Sequence, residues 1–167
     1  KRHMLDNFRK LSYRDTLTGL GNRNLYIETI EKLQDTELDS LGVVFVDINS
    51  LKASNDRYGH QYGDCIIQNV ATGLAGIFPE NAYRVGGDEF VCLFIDGERS
   101  EFDSRLMQLR RFEQEDCMCD FSMGVNYREG NVDVKEQIGY SDNMMYVEKQ
   151  VYYGNGVEGK NSYHEVL

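Results

Sequence analysis

Apolar and polar residues alternate along this 167-residue chain in a way that predicts interleaved strands and helices. The run at residues 41–46 is continuously apolar and rich in β-branched side chains, which is typical of a central strand covered on both faces. The other predicted elements are strands at residues 81–85, 90–95 and 119–127, helices at residues 24–34, 63–77 and 101–115, and a last long helix with Val134, Ile138, Met145 and Lys149 on one side. This order predicts an α/β (α+β) class with a mixed central β-sheet surrounded by helices.

The two ends of the chain carry separate predictions. Residues 1–14 have helical spacing and predict the end of a linker or signalling helix, so residues 15–167 are expected to form the folded domain. Residues 163–167 fit a final edge strand. The first residues do not begin with methionine and precede no apolar region, which indicates a fragment rather than a signal peptide or a natural start.

Charge and hydropathy exclude some classes of partner. The formal net charge is −10, although residues 1–23 are positive on balance. The acidic remainder disfavours binding to DNA or RNA, because a long phosphate backbone requires a face rich in lysine and arginine. No apolar stretch approaches the roughly 18 residues needed to cross a bilayer. We therefore expect a cytoplasmic domain that makes no membrane contact itself.

The cysteines favour a reducing compartment. Cys65, Cys92, Cys117 and Cys119 lack the paired spacing of a zinc site, so we expect reduced thiols, with metal binding as a minor alternative. Cys117 and Cys119 lie one residue apart in a strand-like run and are predicted to face the same side.

The segment Gly86-Gly87-Asp88-Glu89-Phe90 lies between two predicted strands and therefore at a hairpin turn. Glycine permits positive φ and a close approach of a ligand to the backbone. Two adjacent carboxylates at such a tip can hold a divalent cation through hard oxygen ligands. The alternative is a solvated acidic turn, which is common in proteins.

Asp47 is the second candidate ligand, because it lies at the exit of the predicted central strand. If that strand is next to the hairpin in the sheet, Asp47 and Asp88 converge. Mg²⁺ could then bind both carboxylates, with substrate phosphates completing its coordination, as in nucleotidyl transfer.

Five segments at residues 15–23, 47–49, 55–56, 59–64 and 84–90 resemble, in order, the motifs of GGDEF-domain diguanylate cyclases. The resemblance extends from Asp15 to the last helix. It implies a fold like that of nucleotide cyclases and polymerase palms, with the signature on a β-hairpin. It also implies that residues 15–167 form a catalytic domain.

For metal binding and chemistry, the resemblance implies that Asp47, the backbone carbonyl of Ile48 and Asp88 bind Mg²⁺, with Mn²⁺ as a possible substitute. Asp88 is also the candidate base for the 3′-hydroxyl, and Glu89 is expected to support a second metal. Lys52 and Lys149 are expected to face the phosphates.

For the nucleotide, the resemblance implies that Asn55 and Asp64 recognise guanine, since a carboxylate accepts from its N1–H and N2 amino edge. His60 is expected to shape the pocket, and Gly86 and Gly87 belong to the GTP site. Structural alternatives remain open, because Asn55 and His60 also suit helix caps and turns, and Lys52 and Lys149 also suit a solvated surface.

Three other charged residues have structural interpretations. Arg84 can stabilise the hairpin electrostatically, and Asp15 and Arg23 are assigned to the entry of the first helix.

The chain departs from the family pattern at two places. Many members carry an inhibitory product site, Arg-x-x-Asp, whose positions here hold Ile77-Phe78-Pro79-Glu80, so product inhibition through this site is not expected. The family ending Ala-Lys-x-x-Gly-Arg-Asn is replaced by a longer segment after Lys149, in which Lys160 takes the place of the arginine. Turnover is expected to be reduced.

The resemblance implies an Mg²⁺-dependent diguanylate cyclase, an enzyme that joins two GTP into cyclic di-GMP and releases two pyrophosphates. A homodimer with one GTP per half-site is expected, controlled by an upstream sensory domain in a full-length protein that could be membrane-tethered. The alternatives are a catalytically weak GTP-binding regulatory or interaction domain and a cyclase with a monomeric cyclic product.

Overall fold

The computed structural model describes residues 13–130 and 133–154. Its elements, in chain order, are helix α1 (Arg23–Gln34), strand β1 (Ser40–Ile48), helices α2 (Leu51–Tyr58) and α3 (His60–Ile77), strands β2 (Ala82–Arg84) and β3 (Glu89–Ile95), helix α4 (Arg99–Glu115), strand β4 (Phe121–Glu129) and helix α5 (Val134–Gly154). The helix predicted before residue 13 and the edge strand predicted at residues 163–167 lie outside the described residues. Within the described ranges, no helix combines the length and apolar character needed to span a bilayer.

The four strands form one sheet in the order β2-β3-β1-β4. Strand β1 is internal and pairs antiparallel with both β3 and β4, and Phe45 is its one residue that is not fully buried. The predicted central strand is thus confirmed, as is the α/β (α+β) class. All three strand pairings are antiparallel, and an isolated bridge between Gly21 and Tyr83 is parallel.

Alternate residues of β1 face two hydrophobic clusters, because successive side chains of a strand point to opposite faces. Val44, Val46 and Ile48 belong to the cluster that also contains residues of α3 and α4. Leu41 and Val43 belong to the cluster that contains Ile30 of α1 and Val134 of α5. Helices therefore cover both faces, and β1 is fixed in the middle of the molecule.

Helix α5 packs very closely on β4 at Gly124. A Cβ atom added to Gly124 would overlap the Ser141 carbonyl oxygen and the Met145 amide nitrogen, which are backbone atoms of the helix. Met145 itself is buried. This contact fixes the height of α5 above the sheet and so positions the last turns of the helix, which carry Lys149.

The structure differs from the predicted elements at two places. Residues 51–58, where no helix was predicted, form helix α2. None of its residues is buried, so the apolar periodicity that reveals an amphipathic helix is absent. Strand β4 begins at Phe121 rather than at residue 119, so Cys117 and Cys119 precede it. Their Sγ atoms lie 3.8 Å apart, and all four cysteines are free.

Candidate active site

The ends of β1 and β3 bring the predicted acidic residues together. Asp47 is the register partner of Glu89, and the Ile48 amide donates to the Asp88 carbonyl oxygen at 3.0 Å. The two strands are neighbours, which is the condition under which the sequence predicted convergence. Asp47, Asp88 and Glu89 thus lie at one end of the sheet.

The cluster of Asp47, Asp88 and Glu89 has an excess of negative charge and is partly buried. Asp47 is 1% exposed. Burial raises the pKa of its carboxyl to about 6, and the charge of Asp88 acts in the same direction. Lys149 Nζ donates to Asp47 Oδ1 at 2.7 Å and partly compensates.

Lys149 remains a cation at this position. Burial lowers the pKa of its ammonium, but the hydrogen bond to Asp47 and the charge of Asp88 outweigh burial and raise the pKa above its usual value. A positive group thus already lies against Asp47. A divalent cation bound there has to share or displace this contact.

The oxygen donors at the sheet end fit a magnesium ion that is held partly by its substrate. In the described part of the chain, no three His, Cys, Asp or Glu side chains are grouped as metal ligands. The available set is two carboxylates, from Asp47 and Asp88, and the carbonyl of Ile48. Mg²⁺ is usually bound by one or two carboxylates together with waters and substrate phosphates. The position of Lys149 at Asp47 supports the fit, because it shows that a cation is favoured there.

Arg84 fastens the turn between β2 and β3. Its guanidinium donates to the Gly87 carbonyl oxygen, at 2.7 Å from Nη2, and pairs with Asp15 at 3.2 Å. Asp15 in turn accepts from the backbone and the side chain of Thr18. Burial raises the pKa of Asp15, but these hydrogen bonds and the charge of Arg84 hold it below its usual value. Asp15 therefore anchors the hairpin turn, beyond its predicted role at the helix entry.

The structure explains the two glycines in the turn differently from the predicted need for positive φ. Positive φ occurs, among the described glycines, at Gly19, Gly59 and Gly130 and not at Gly86 or Gly87. A Cβ atom at Gly86 would collide with the Glu89 side chain, whereas Gly87 is exposed with open space around it. Gly86 thus makes room for Glu89, and Gly87 leaves the tip accessible.

Replacing Arg84 by alanine is expected to loosen this turn and to lower the free energy of unfolding by about 1.5–3 kcal/mol, as for hydrogen bonds to charged groups. Denaturant unfolding and hydrogen exchange of residues 84–89 would measure both effects. Arg128→Ala is the matched control, because Arg128 pairs with Glu136 on the exposed surface at 3.4 Å. Equal stability of the two variants would contradict the anchoring role.

The residues predicted to recognise the base lie at the corner between α2 and α3. The Asn55 side chain packs against the backbone of α3 so closely that a Cβ atom at Gly63 would overlap its Oδ1. That oxygen is buried and has no hydrogen-bond partner among the described residues. Asp64 follows Gly63 and is exposed. A buried acceptor without a partner beside an exposed carboxylate is an arrangement that a polar ligand can complete.

Lys52 and His60 are also on these two helices. Lys52 is the second residue of α2, and His60 is the first residue of α3. Both are exposed. Exposure suits a contact with a ligand and suits a solvated surface equally, so their predicted roles stay predictions.

Sequence reasoning missed one contact next to the acidic cluster. The Ser50 amide, in the turn after β1, donates to the Tyr153 hydroxyl at 2.8 Å. Tyr153 lies one helical turn beyond Lys149 on α5. The spacing of four residues between Lys149 and Tyr153 was the available signal, since it places both on one face of a helix.

Comparison with known proteins agrees with this fold. A family model described as "Diguanylate cyclase, GGDEF domain" matches residues 12–153, and the chain belongs to this family. The cyclic di-GMP phosphodiesterase PdeR of Escherichia coli (strain K12) is 30% identical over 62% of this chain and 16% of its own length. The probable diguanylate cyclase DgcJ of the same strain is 28% identical over 88% of this chain and 31% of its own length.

Among solved structures, the coiled coil and GGDEF domain of DgcB from Caulobacter crescentus, in complex with c-di-GMP, matches with a TM-score of 0.75 and 22% identity. The match covers 90% of this chain and 87% of that chain, and it shows the shared fold. The curated relatives are longer, since the chain spans from 12% to 41% of their lengths.

Proposed function

We propose that this domain is an Mg²⁺-dependent diguanylate cyclase that condenses two GTP into cyclic di-GMP and two pyrophosphates. The observation that carries the proposal is the meeting of Asp47 and Asp88 at one end of the sheet, with Lys149 against Asp47. A domain of the GGDEF family that kept the fold alone would not need two carboxylates in such proximity. Two like charges are costly unless a cation binds between them.

The chain's own residues have distinct tasks in this reaction. Asp88 accepts the proton of a 3′-hydroxyl, whose oxygen forms a bond to the α-phosphorus of the second GTP while the bond to pyrophosphate breaks. In a second step of the same kind, the 3′-hydroxyl of the second nucleotide attacks the α-phosphorus of the first and releases the second pyrophosphate, which closes the ring. Mg²⁺, when bound by Asp47, Asp88 and the Ile48 carbonyl, supplies charge stabilisation at the phosphate, with Glu89 near a second ion. Lys52 and Lys149 supply positive charge as the transition state develops.

The base is selected at the corner of α2 and α3. Asp64 accepts from the N1–H and N2 amino edge of guanine, and the amide of Asn55 completes the pattern. His60 lies at the entry of α3 and shapes the same pocket. Adenine presents a different edge, so GTP is the expected substrate.

Replacing Gly63 by alanine is expected to push Asn55 out of place and to weaken guanine binding. Loss of a well-placed polar contact costs about 1–3 kcal/mol, so we expect about 10- to 100-fold weaker binding of 3′-deoxy-GTP. Binding of 3′-deoxy-ATP should change little, so the ratio of the two affinities is the measurement. Gly76→Ala, also in α3, has no atom within 4 Å of the added Cβ and should leave the ratio unchanged. A ratio equal to that of the unsubstituted protein in Gly63→Ala would contradict the assignment.

Each copy holds one nucleotide, so the reaction requires two copies facing each other. Activity should therefore rise steeply with protein concentration, and control of this association by an upstream sensory domain is part of the proposal. The four positions of the Arg-x-x-Asp product site begin with Ile77 and end with Glu80 in this chain. Product inhibition through that site is therefore not expected. The altered ending around Lys160 lies outside the described residues.

The test is incubation with GTP and Mg²⁺ over a range of protein concentrations, followed by chromatography of the products, with Asp88→Asn as the inactive control. Formation of cyclic di-GMP by the unsubstituted protein alone supports the proposal. Tight GTP binding without turnover, even in a covalently linked dimer, would select a regulatory GTP-binding domain instead. A monomeric cyclic product would select a different cyclase.

A further inference from the structure

The last two turns of α5 contact the turn after β1 at two points. Lys149 Nζ reaches Asp47 Oδ1, and the Tyr153 hydroxyl accepts from the Ser50 amide. Residues four apart lie on the same face of a helix, so both contacts are made by one face of α5. They bracket the segment from Asp47 to Ser50, which joins the acidic cluster to α2.

Ser50 has an unusual backbone conformation. Its φ is 57° and its ψ is 23°, which is the left-handed region, and Asp96 is the other described residue besides glycine with positive φ. Such a conformation costs roughly 1–2 kcal/mol per residue and persists only when surrounding contacts fix it. Ser50 precedes α2, but its side chain makes no capping hydrogen bond. Its carbonyl oxygen accepts from the Ser54 amide at 3.0 Å, and its amide donates to Tyr153, which is the contact that ties this residue to α5.

The two residues before Ser50 are held by residues that directly precede β3 and β4 rather than by α5. The Ile48 amide donates to Asp88, and the Asn49 amide donates to the Asp120 carbonyl oxygen. The Asn49 side chain accepts from Ser122 Oγ at 2.9 Å. Only at Ser50 does the turn depend on α5 among these residues. Ser50 follows Ile48, whose carbonyl is a proposed metal ligand, by two residues.

We infer that Tyr153 is a positioning residue, which holds Ser50 in the left-handed conformation and thereby sets the geometry of the metal- and phosphate-binding end of β1. The inference rests on the proposed function. Tyr153 itself is held by packing of its ring against Tyr152, with ring centroids 5.1 Å apart in a T-shaped arrangement. It need not touch the nucleotide to act, since it acts through the backbone of Ser50.

The experiment uses glycine at position 50, because glycine adopts positive φ without a steric cost. Affinity for 3′-deoxy-GTP with Mg²⁺ is measured by calorimetry, since this nucleotide lacks the attacking hydroxyl and cannot react. Tyr153→Phe removes one hydrogen bond and is expected to weaken binding by about tenfold. Combining Tyr153→Phe with Ser50→Gly is expected to restore binding to within about twofold, since glycine no longer needs the bond.

Two further measurements separate positioning from general stability. Hydrogen exchange at residue 50 should be faster in Tyr153→Phe and should stay fast in the double variant, although affinity returns. Tyr140→Phe, on an exposed tyrosine of α5, is the matched control and should leave both readouts unchanged.

If Tyr153→Phe bound 3′-deoxy-GTP as tightly as the unsubstituted protein, or more tightly, the inference would be overturned. The proposed function would stay intact. Failure of Ser50→Gly to restore binding would also overturn the inference, because the loss would then reflect a displaced helix. If the unsubstituted protein bound no 3′-deoxy-GTP, both the proposed function and this inference would be contradicted.

Discussion

Asp47→Asn should abolish formation of cyclic di-GMP while leaving the fold intact. Asparagine has nearly the same shape, and its side-chain oxygen can still accept from Lys149 at the position of Asp47 Oδ1. It lacks the negative charge that a divalent cation requires. Because a bound metal supplies several kcal/mol of charge stabilisation, the rate should fall by at least about 10³-fold.

The substitution Asp47→Asn should leave the free energy of unfolding unchanged or raise it, although activity is lost. The pKa of Asp47 is raised to about 6 by burial and by the charge of Asp88. A raised carboxyl pKa in the folded state means that the ionised form destabilises the fold above the unfolded pKa. A neutral asparagine removes this cost at neutral pH. Thermal unfolding of Asp47→Asn at pH 7 should therefore occur at the same temperature as in the unsubstituted protein or higher.

Asp96→Asn is the matched control for this substitution. Asp96 follows β3 at the other end of the sheet, where its carboxylate accepts from the amides of Asp39 and Ser40. Asparagine tolerates the positive φ found at this position. Activity should persist in Asp96→Asn, and retention of more than about a tenth of the activity in Asp47→Asn would exclude the proposed metal role.

The elements that the sequence predicted are those whose burial produces a recognisable pattern of apolar residues. Strand β1 is buried on both faces and therefore has a continuous apolar run. Helix α3 buries residues such as Ile66, Val70 and Leu74 on one face, which a 3.6-residue period reveals. Helix α2 buries none of its residues, so its sequence contains turn and cap signals but no amphipathic pattern. The missing prediction thus has a physical cause in the exposure of the helix.

The candidate site was predictable to the extent that its groups are local in sequence. Asp88 and Glu89 lie in one turn, and Asp47 lies at the end of one strand. The contacts that hold these groups join residues far apart in the chain, as Arg84 does with Asp15 and Tyr153 does with Ser50. Such pairs depend on how α5 and the hairpin dock on the sheet. A single sequence contains no direct record of that docking.

Helix α5 packs closely against β4 at Gly124, and Gly124→Ala is expected to be the most destabilising of the glycine substitutions discussed. The added Cβ meets backbone atoms at Ser141 and Met145, which cannot rotate away as a side chain can. Overpacking of this kind costs about 1–3 kcal/mol and occasionally more, and we expect at least about 2 kcal/mol here. For a domain of this size, that corresponds to a fall of roughly 4–8 °C in Tm.

The same substitution tests the link between packing and the site. Relief of the clash requires α5 to move away from β4, which withdraws Lys149 from Asp47 and so lowers kcat in the variant that remains folded. Gly139→Ala is the matched control, because Gly139 is in α5 and no atom lies within 4 Å of an added Cβ. Alanine there should be neutral or stabilising by up to about 1 kcal/mol, through helix propensity. If Gly124→Ala unfolded at the same denaturant concentration as Gly139→Ala, close contact at Gly124 could not be what positions Lys149.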